Sequence, residues 1–478
     1  MHISLISFIL NCFLFDVSQF RNALAAYCDN GTHPDPIERT EGAFAYPELR
    51  VTYTGEQTAR GLTRAFARMT QPGTYACSVA RPALFRDYLQ TQLEHLVTDY
   101  GVDVAVGRSR SEIPYAYALD GSGINLDHVT AAELSRWFPS NELARIGDEI
   151  ADGVWDYSVH DARPLALFDG PRTDFSLARL RHYTGTPAED FQHFILFTNY
   201  VRYVDEFVRF GVSELRREDS PYTALSVPGG HYERGDLANA EEQIAAGTWR
   251  RHQMPAYHLI AEGRAGITLV NIGVGPSNAK TICDHIAVLR PEVWLMIGHC
   301  GGLRPTQRIG DYVLAHAYLR DDHVLDDVLP VEIPLPAIAE VQKALFEAAV
   351  AVTGGDEDSV KTRLRTGTVV TTDDRNWELR FTQSARRFNQ SRAVAIDMES
   401  ATVAAQGFRF RVPYGTLLCV SDKPIHGELK LPGQANDFYE TSIGQHLRIG
   451  IETLGLLLRE GEGLHSRKLR SFDEPPLR

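Results

Sequence analysis

The pattern of hydrophobic and polar positions changes character near residue 222. Beyond it, short apolar runs alternate with segments whose apolar residues recur at helical spacing. The runs at 223–227, 267–272, 293–297, 312–315, 368–371, 393–396 and 416–420 predict strands. Helical segments lie between them. The clearest is 277–289, where Ala279, Ile282, Cys283, Ile286 and Leu289 share one face. A last helix is expected from about Asp437 to Glu460, and the polar tail after it, ending E-P-P-L-R, is expected on the surface. Strands separated by helices imply an α/β domain with a central mixed, largely parallel sheet flanked by helices.

The first half is mixed. Residues 46–54, 73–79 and 102–106 read as strands and 84–99 as an amphipathic helix, predicting a smaller α+β domain over residues 1–187. Residues 188–215 carry Phe191, Phe194, Phe197, Tyr200, Tyr203 and Phe207 and read as one long helix. This makes 188–220 a helical connector opening a second domain, residues 188–478. The polar stretch at 216–220, followed by Pro221, is the sharpest boundary signal. Residues 3–15 are apolar apart from Ser4, Ser7 and Asn11, too short to span a bilayer and preceded by no Lys or Arg. They read as an N-terminal helix, or as the product of a start codon placed too far upstream, rather than as a signal peptide.

Composition narrows the function classes. A chain of 478 residues is too long for one typical core, so two domains are expected. A net charge of −14 argues against a general binder of nucleic acid or anionic membranes, while leaving room for a local basic pocket. The six cysteines (Cys12, Cys28, Cys77, Cys283, Cys300, Cys419) show no C-x-x-C pair and no metal spacing. They point to a reducing, cytoplasmic setting and to no metal site.

The candidate chemistry sits where strands end, because ligands of open α/β sheets bind outside the carboxyl ends of the strands. One strand runs into G-V-G-P-S-N-A (273–279), where Gly273 and Gly275 allow close backbone approach before a helix. Another runs into G-H-C-G-G-L (298–303), placing His299 and Gly301, with Arg304 next. T-T-D-D-R-N-W-E (371–378) offers Trp377 as a stacking wall, or else Asp374 as a helix cap and Trp377 as core. In A-I-D-M-E-S (395–400), Glu399 suits vicinal hydroxyls and Met398 a soft apolar surface; Asp397 and Glu399 could instead simply favour the following helix N-terminus. In C-V-S-D-K-P (419–424), Ser421 precedes Asp422, the best general acid, and Lys423 serves a phosphate or only the surface. A carboxyl group in that role must gain its proton through burial or a ligand hydrogen bond.

The order of these motifs over residues 222–460 resembles the nucleoside phosphorylase and methylthioadenosine nucleosidase superfamily. The T-T-D-D-R-N-W-E segment and an appended N-terminal domain containing S-L-A-R-L-R-H-Y-T-G-T-P (176–187) are more specifically similar to the bacterial AMP nucleosidase family. The resemblance implies a phosphorylase/nucleosidase-type domain in which Met398 and Glu399 hold ribose, Asp422 serves the purine at N7, and Trp377 flanks the base. Gly273, Gly275, His299, Gly301 and Ser421 would complete the substrate site. The phosphorylases of the superfamily carry R-V-G-S-C-G, whose arginine and serine bind orthophosphate; here Met296 and His299 stand in those places. Hydrolysis of AMP to adenine and ribose 5-phosphate is therefore implied over phosphorolysis. The alternatives are a purine nucleoside or nucleotide phosphorylase and a non-catalytic adenine-nucleotide sensor. A 5′-phosphate needs a cationic clamp, for which Arg179, Arg181, Arg375 and Lys423 are candidates. The resemblance further implies MgATP as activator, orthophosphate as inhibitor, a homohexamer, and no cofactor for the chemistry itself.

Overall fold

The computed structural model describes residues 2–57, 66–156, 158, 161–235, 237–428, 436–464, 469–471 and 473–478. They fall into two compact units, Met1–Ala178 with Arg470–Arg478, and Arg179–Leu469.

The first unit is built on a four-stranded sheet in the order β3-β1-β2-β4, from β1 (Ala45–Tyr53), β2 (Gly73–Ser78), β3 (Asp103–Glu112) and β4 (Arg163–Pro164). In β1, Leu49, Val51 and Tyr53 are buried while Arg50 and Thr52 are exposed, the alternation of a sheet covered on one face. The helix Arg86–Tyr100 buries Leu89, Leu93, Leu96 and Tyr100 along one stripe and stops at Gly101, whose φ of 61° suits a left-handed cap. The apolar start of the chain opens a 29-residue helix, His2–Asn30, whose Phe20 stacks on Phe44 at 4.4 Å. The polar tail does not lie on the surface. Leu477 donates its amide to Leu165 O (2.9 Å), and Leu477 is fully buried in this unit. Polarity misled there because Pro475, Pro476 and Leu477 form an extended apolar segment that can pair with a neighbouring backbone.

The second unit carries β5 (Phe194–Thr198), β6 (Tyr222–Val227), β7 (Gly230–Glu233), β8 (Ala256–Ala261), β9 (Ile267–Asn271), β10 (Val293–Gly302), β11 (Tyr312–Asp321), β12 (Leu364–Thr372), β13 (Ala395–Asp397) and β14 (Tyr414–Asp422). They form one mixed sheet in the order β13-β12-β11-β14-β10-β5-β9-β8-β6-β7. β13 also pairs with β10, so β10, β14, β11, β12 and β13 close into a ring. The expected helix over 188–215 is corrected. Residues 194–198 are a strand, parallel to both β9 and β10, and only Val201–Leu215 is helical. A strand buried on both faces reads as an unbroken apolar run, which periodicity alone does not separate from a buried helix.

The parallel set β9, β5, β10 and β14 positions the site. Their carboxyl ends bring Gly273, Asn199, Gly301 and Asp422 to one edge of the sheet.

Candidate active site

β10 is the strand from which the site is built. Past a bulge between Cys300 and Gly301, Gly301 pairs with Asp422 of β14 on one side and with Ile396 of β13 on the other. Strand neighbours lie about 4.8 Å apart, so the two acidic motifs descend from backbones within about 10 Å of each other. A Cβ on Gly301 would stand 3.1 Å from Ile396 Cγ2, and one on Gly302 2.9 Å from Val420 Cγ1. Glycine at both positions lets three strands converge.

Glu399 is fully buried, and its two oxygens have separate donors. The Gly275 amide donates to Oε1 at 2.7 Å and Asn199 Nδ2 to Oε2 at 2.8 Å. Gly275 opens the helix Pro276–Ile286 with φ 117°, a conformation that side-chain-bearing residues rarely adopt, and so aims its N–H into the site. The carboxyl of Glu399 therefore lies at that helix N-terminus, where negative charge is favoured. Burial nonetheless pushes its proton affinity up, and the neighbouring Asp397 charge adds to the rise, against the pull of Gly275 and Asn199.

Asp397 has a different task. Its Oδ1 accepts the Thr371 hydroxyl at 2.6 Å, and its Oδ2 accepts the Ser400 amide at 2.9 Å and the Ser400 hydroxyl. Thr371 in turn accepts the Ala401 amide at 2.8 Å. Asp397 thus ties β12 and β13 to the start of the helix Ser400–Phe410. Burial raises its carboxyl too, against the hydrogen bonds of Ser400 and Thr371. The two helices that meet at the site are joined by Asp284, which holds Lys280 Nζ at 2.7 Å and Gln406 Nε2.

Asp422 is half-buried at the end of β14. Ser421 Oγ donates to its Oδ1 at 2.6 Å and lies 3.3 Å from Cys300 O. Met398 is half-buried on the turn before Glu399. His299 is buried beside the rings of Tyr200 and Tyr203, with centroids 5.2 and 5.5 Å away. Met296 is fully buried, its Cε 3.1 Å from where a Cβ on Gly298 would be. Asp422, Ser421, Met398, Gly273, Gly275 and Gly301 share the strand-end edge, with His299 and Met296 further back along β10.

Other expectations are corrected. Trp377 is buried in a cluster with Val370, Phe388 and Ile396, edge-on to Phe388 at 5.1 Å, and so is core rather than an open wall. Lys423 is buried and paired with Glu428 at 2.6 Å. Arg179 and Arg181 are exposed near the end of the helix Gly170–Thr184. Arg179 reaches Tyr183 at 3.3 Å, and Tyr183 stacks on His285, at the far end of the helix that Gly275 opens. His285 stands ten residues, about 15 Å of helix, from Gly275. Arg375 is exposed three residues after the end of β12. Among the described residues, no cluster of His, Cys, Asp or Glu could hold a metal ion, and no helix is long and apolar enough to cross a membrane.

Asn199, Thr371 and Gly298 were missed as site residues. The signal for Asn199 was present, a polar residue just past the four-residue apolar run 194–197, but the run was absorbed into a helix.

Residues 8–162 match the model of the bacterial AMP nucleoside phosphorylase N-terminus, and residues 229–452 that of the phosphorylase superfamily. The chain is 63% identical over 462 residues to an AMP nucleosidase of Escherichia coli (strain K12), covering 97% of this chain and 95% of that protein. It is 25% identical over 241 residues to a guanosine phosphorylase of Halorubrum lacusprofundi, covering 48% of this chain and 93% of that protein. A solved AMP nucleosidase structure from Bacteroides thetaiotaomicron is 29% identical and covers 60% of this chain and 97% of that one, with a TM-score of 0.42.

Proposed function

The chain belongs to the AMP nucleosidase family, and on that premise we infer that it hydrolyses the N-glycosidic bond of AMP to adenine and ribose 5-phosphate. The observation that carries this is the 63% identity to an AMP nucleosidase over nearly the whole of both chains.

The chemistry asks for two things. As the bond from C1′ to N9 breaks, its electron pair leaves on the purine and positive charge builds on the sugar. Asp422 supplies or shares a proton at N7, making adenine a better leaving group, an effect typically worth about 10²–10⁴-fold. Glu399, as a carboxylate, holds the ribose hydroxyls and stabilises the cation electrostatically. Water adds its oxygen to C1′ and releases one proton, which replaces the one Asp422 gave to the purine. Glu399 is fully enclosed, so sugar binding must part the side chains around it, and the hydroxyls then complete its hydrogen bonds. The apolar Met296 in place of an arginine supports water over orthophosphate as nucleophile. Of the candidate phosphate clamps we favour Arg375, which is exposed and follows Thr371, the partner of Asp397, by four residues.

A homohexamer, activation by MgATP and inhibition by orthophosphate follow from the family resemblance, and a cytoplasmic location from the cysteine pattern. The deciding experiment is product analysis with AMP, with and without orthophosphate, and with adenosine as control. Adenine and ribose 5-phosphate from AMP alone, with adenosine inert, are expected. A ribose 1-phosphate product that forms only with orthophosphate would overturn the reading. Asp422→Asn is expected to keep AMP binding and lose turnover.

A further inference from the structure

Asn199 directly follows β5 and is half-buried. Its Nδ2 holds Glu399 Oε2 at 2.8 Å, while the Gly275 amide holds Oε1 at 2.7 Å. With one fixed donor per oxygen, the carboxylate plane is locked, and its remaining lone pairs keep one direction. Gly275 is backbone and comes with the turn. Asn199 is a side chain, and room has been kept for it. A Cβ at position 298 would stand 2.8 Å from Asn199 Oδ1 and 3.1 Å from Met296 Cε, closer than real Cβ contacts at the first and tight at the second. The φ of Gly298 is not positive, so backbone conformation does not demand glycine there. Space for the asparagine does.

We propose that Asn199 is a positioning residue that aims the Glu399 carboxylate at the sugar, and that position 298 is glycine in order to admit it. This rests on Glu399 holding the ribose. The geometry is that of an oriented charge with little freedom to reorganise when the transition state forms. A hydrogen bond to a charged group that acts only through orientation should be read in turnover rather than in substrate affinity.

The groups facing Glu399 are Asp397 from its own turn, Asn199 from the end of β5, and the Gly275 amide from the turn after β9. Asn199 and Gly275 favour the ionised form and Asp397 opposes it. Loss of the Asn199 donor therefore moves the acidic limb of the kcat profile to higher pH.

The test measures kcat, KM and the pH profile of Asn199→Ala, Asn199→Asp, Gly298→Ala and the Asn199→Ala/Gly298→Ala pair in the full-length protein, beside Glu399→Gln. Asn199→Ala should lose about 10–100-fold in kcat, the range for a hydrogen bond to a charged group, with KM within about threefold. Asn199→Asp should lose more, since it sets one carboxylate against another. Gly298→Ala should match Asn199→Ala, and the double variant should be no worse than either single one, because both changes remove the same contact. Asn199→Ala within twofold of wild type and with an unmoved pH profile, while Glu399→Gln is inactive, would overturn the proposal alone. An active Glu399→Gln would instead remove the ribose-holding role on which it stands. Should Gly298→Ala not fold, the two Asn199 variants still decide.

Discussion

Replacing Asp397 tests whether one carboxylate organises the site's framework. It receives three donors, the Thr371 hydroxyl and the Ser400 amide and hydroxyl. Asp397→Asn keeps an acceptor for Ser400 but turns an NH₂ toward Thr371, whose hydroxyl proton loses its acceptor. One reversed hydrogen bond and one weakened bond should cost about 1–2 kcal/mol, part of it offset by relief of a buried charge. Asp397→Ala leaves all three donors in the interior without an acceptor. At about 1–3 kcal/mol for each orphaned group, less the same relief, the loss should be about 3–5 kcal/mol. Urea denaturation of the full-length protein at pH 7 reads both values. A second reading comes from activity. The Asp397 charge raises the proton affinity of Glu399, so Asp397→Asn should move the acidic limb of kcat to lower pH, opposite to Asn199→Ala. If Ala proves no more costly than Asn, or both fall within 0.5 kcal/mol of wild type, a surface-like value, Asp397 does not organise the framework.

Three further outcomes are expected. His446 is buried, with Nδ1 on the Tyr203 hydroxyl at 2.6 Å and Nε2 on Leu417 O at 3.0 Å, and burial pushes it down to about 4. Its stabilisation is complete above its unfolded value near 6.5 and is lost as pH falls toward 4. The advantage of wild type over His446→Gln should shrink by about 2 kcal/mol from pH 7.5 to pH 5, and a constant gap in urea melts would contradict this. Trp377→Leu should lose about 1–3 kcal/mol of stability with KM for AMP unchanged, whereas a tenfold rise in KM at full stability would return Trp377 to the base site. Gly407→Ala would ordinarily favour its helix, but here the methyl would meet the Tyr414 ring at 2.5 Å and Val412 O at 2.8 Å. It should destabilise by at least about 1–3 kcal/mol, and a stabilised variant in thermal melts would refute the clash.

The strand endings were legible because each sets glycine or acid within two residues of a mainly apolar run, a change of chemistry that needs no partner to be seen. Roles within an ending were less so. Asp397 and Glu399 stand two residues apart, and sequence left both as either helix-favouring or ligand-binding. Only their partners separate them, since Ser400 and Thr371 claim the first while Gly275 and Asn199 claim the second. Arg179 and Arg181 looked available because charge is visible in a sequence and the end of the sheet it faces is not. β8 escaped notice because His258 interrupts it; its ring is satisfied by Thr268 and Thr186, 2.9 and 2.8 Å away, neither of them near in sequence.

The order of strands also governs how this molecule can be made. β5 is laid between β9 and β10, and the ring around β10 waits for β13 and β14. The largely apolar β5 leaves the ribosome roughly a hundred residues before β10, about 5–20 s at ordinary synthesis rates. Pairings so distant in sequence form slowly, since loop closure precedes any gain from contact. The nascent second unit cannot fold from its beginning onward. Its first strand stays unpaired until β9 and then β10 emerge, and chaperone demand during synthesis should be concentrated on that early segment.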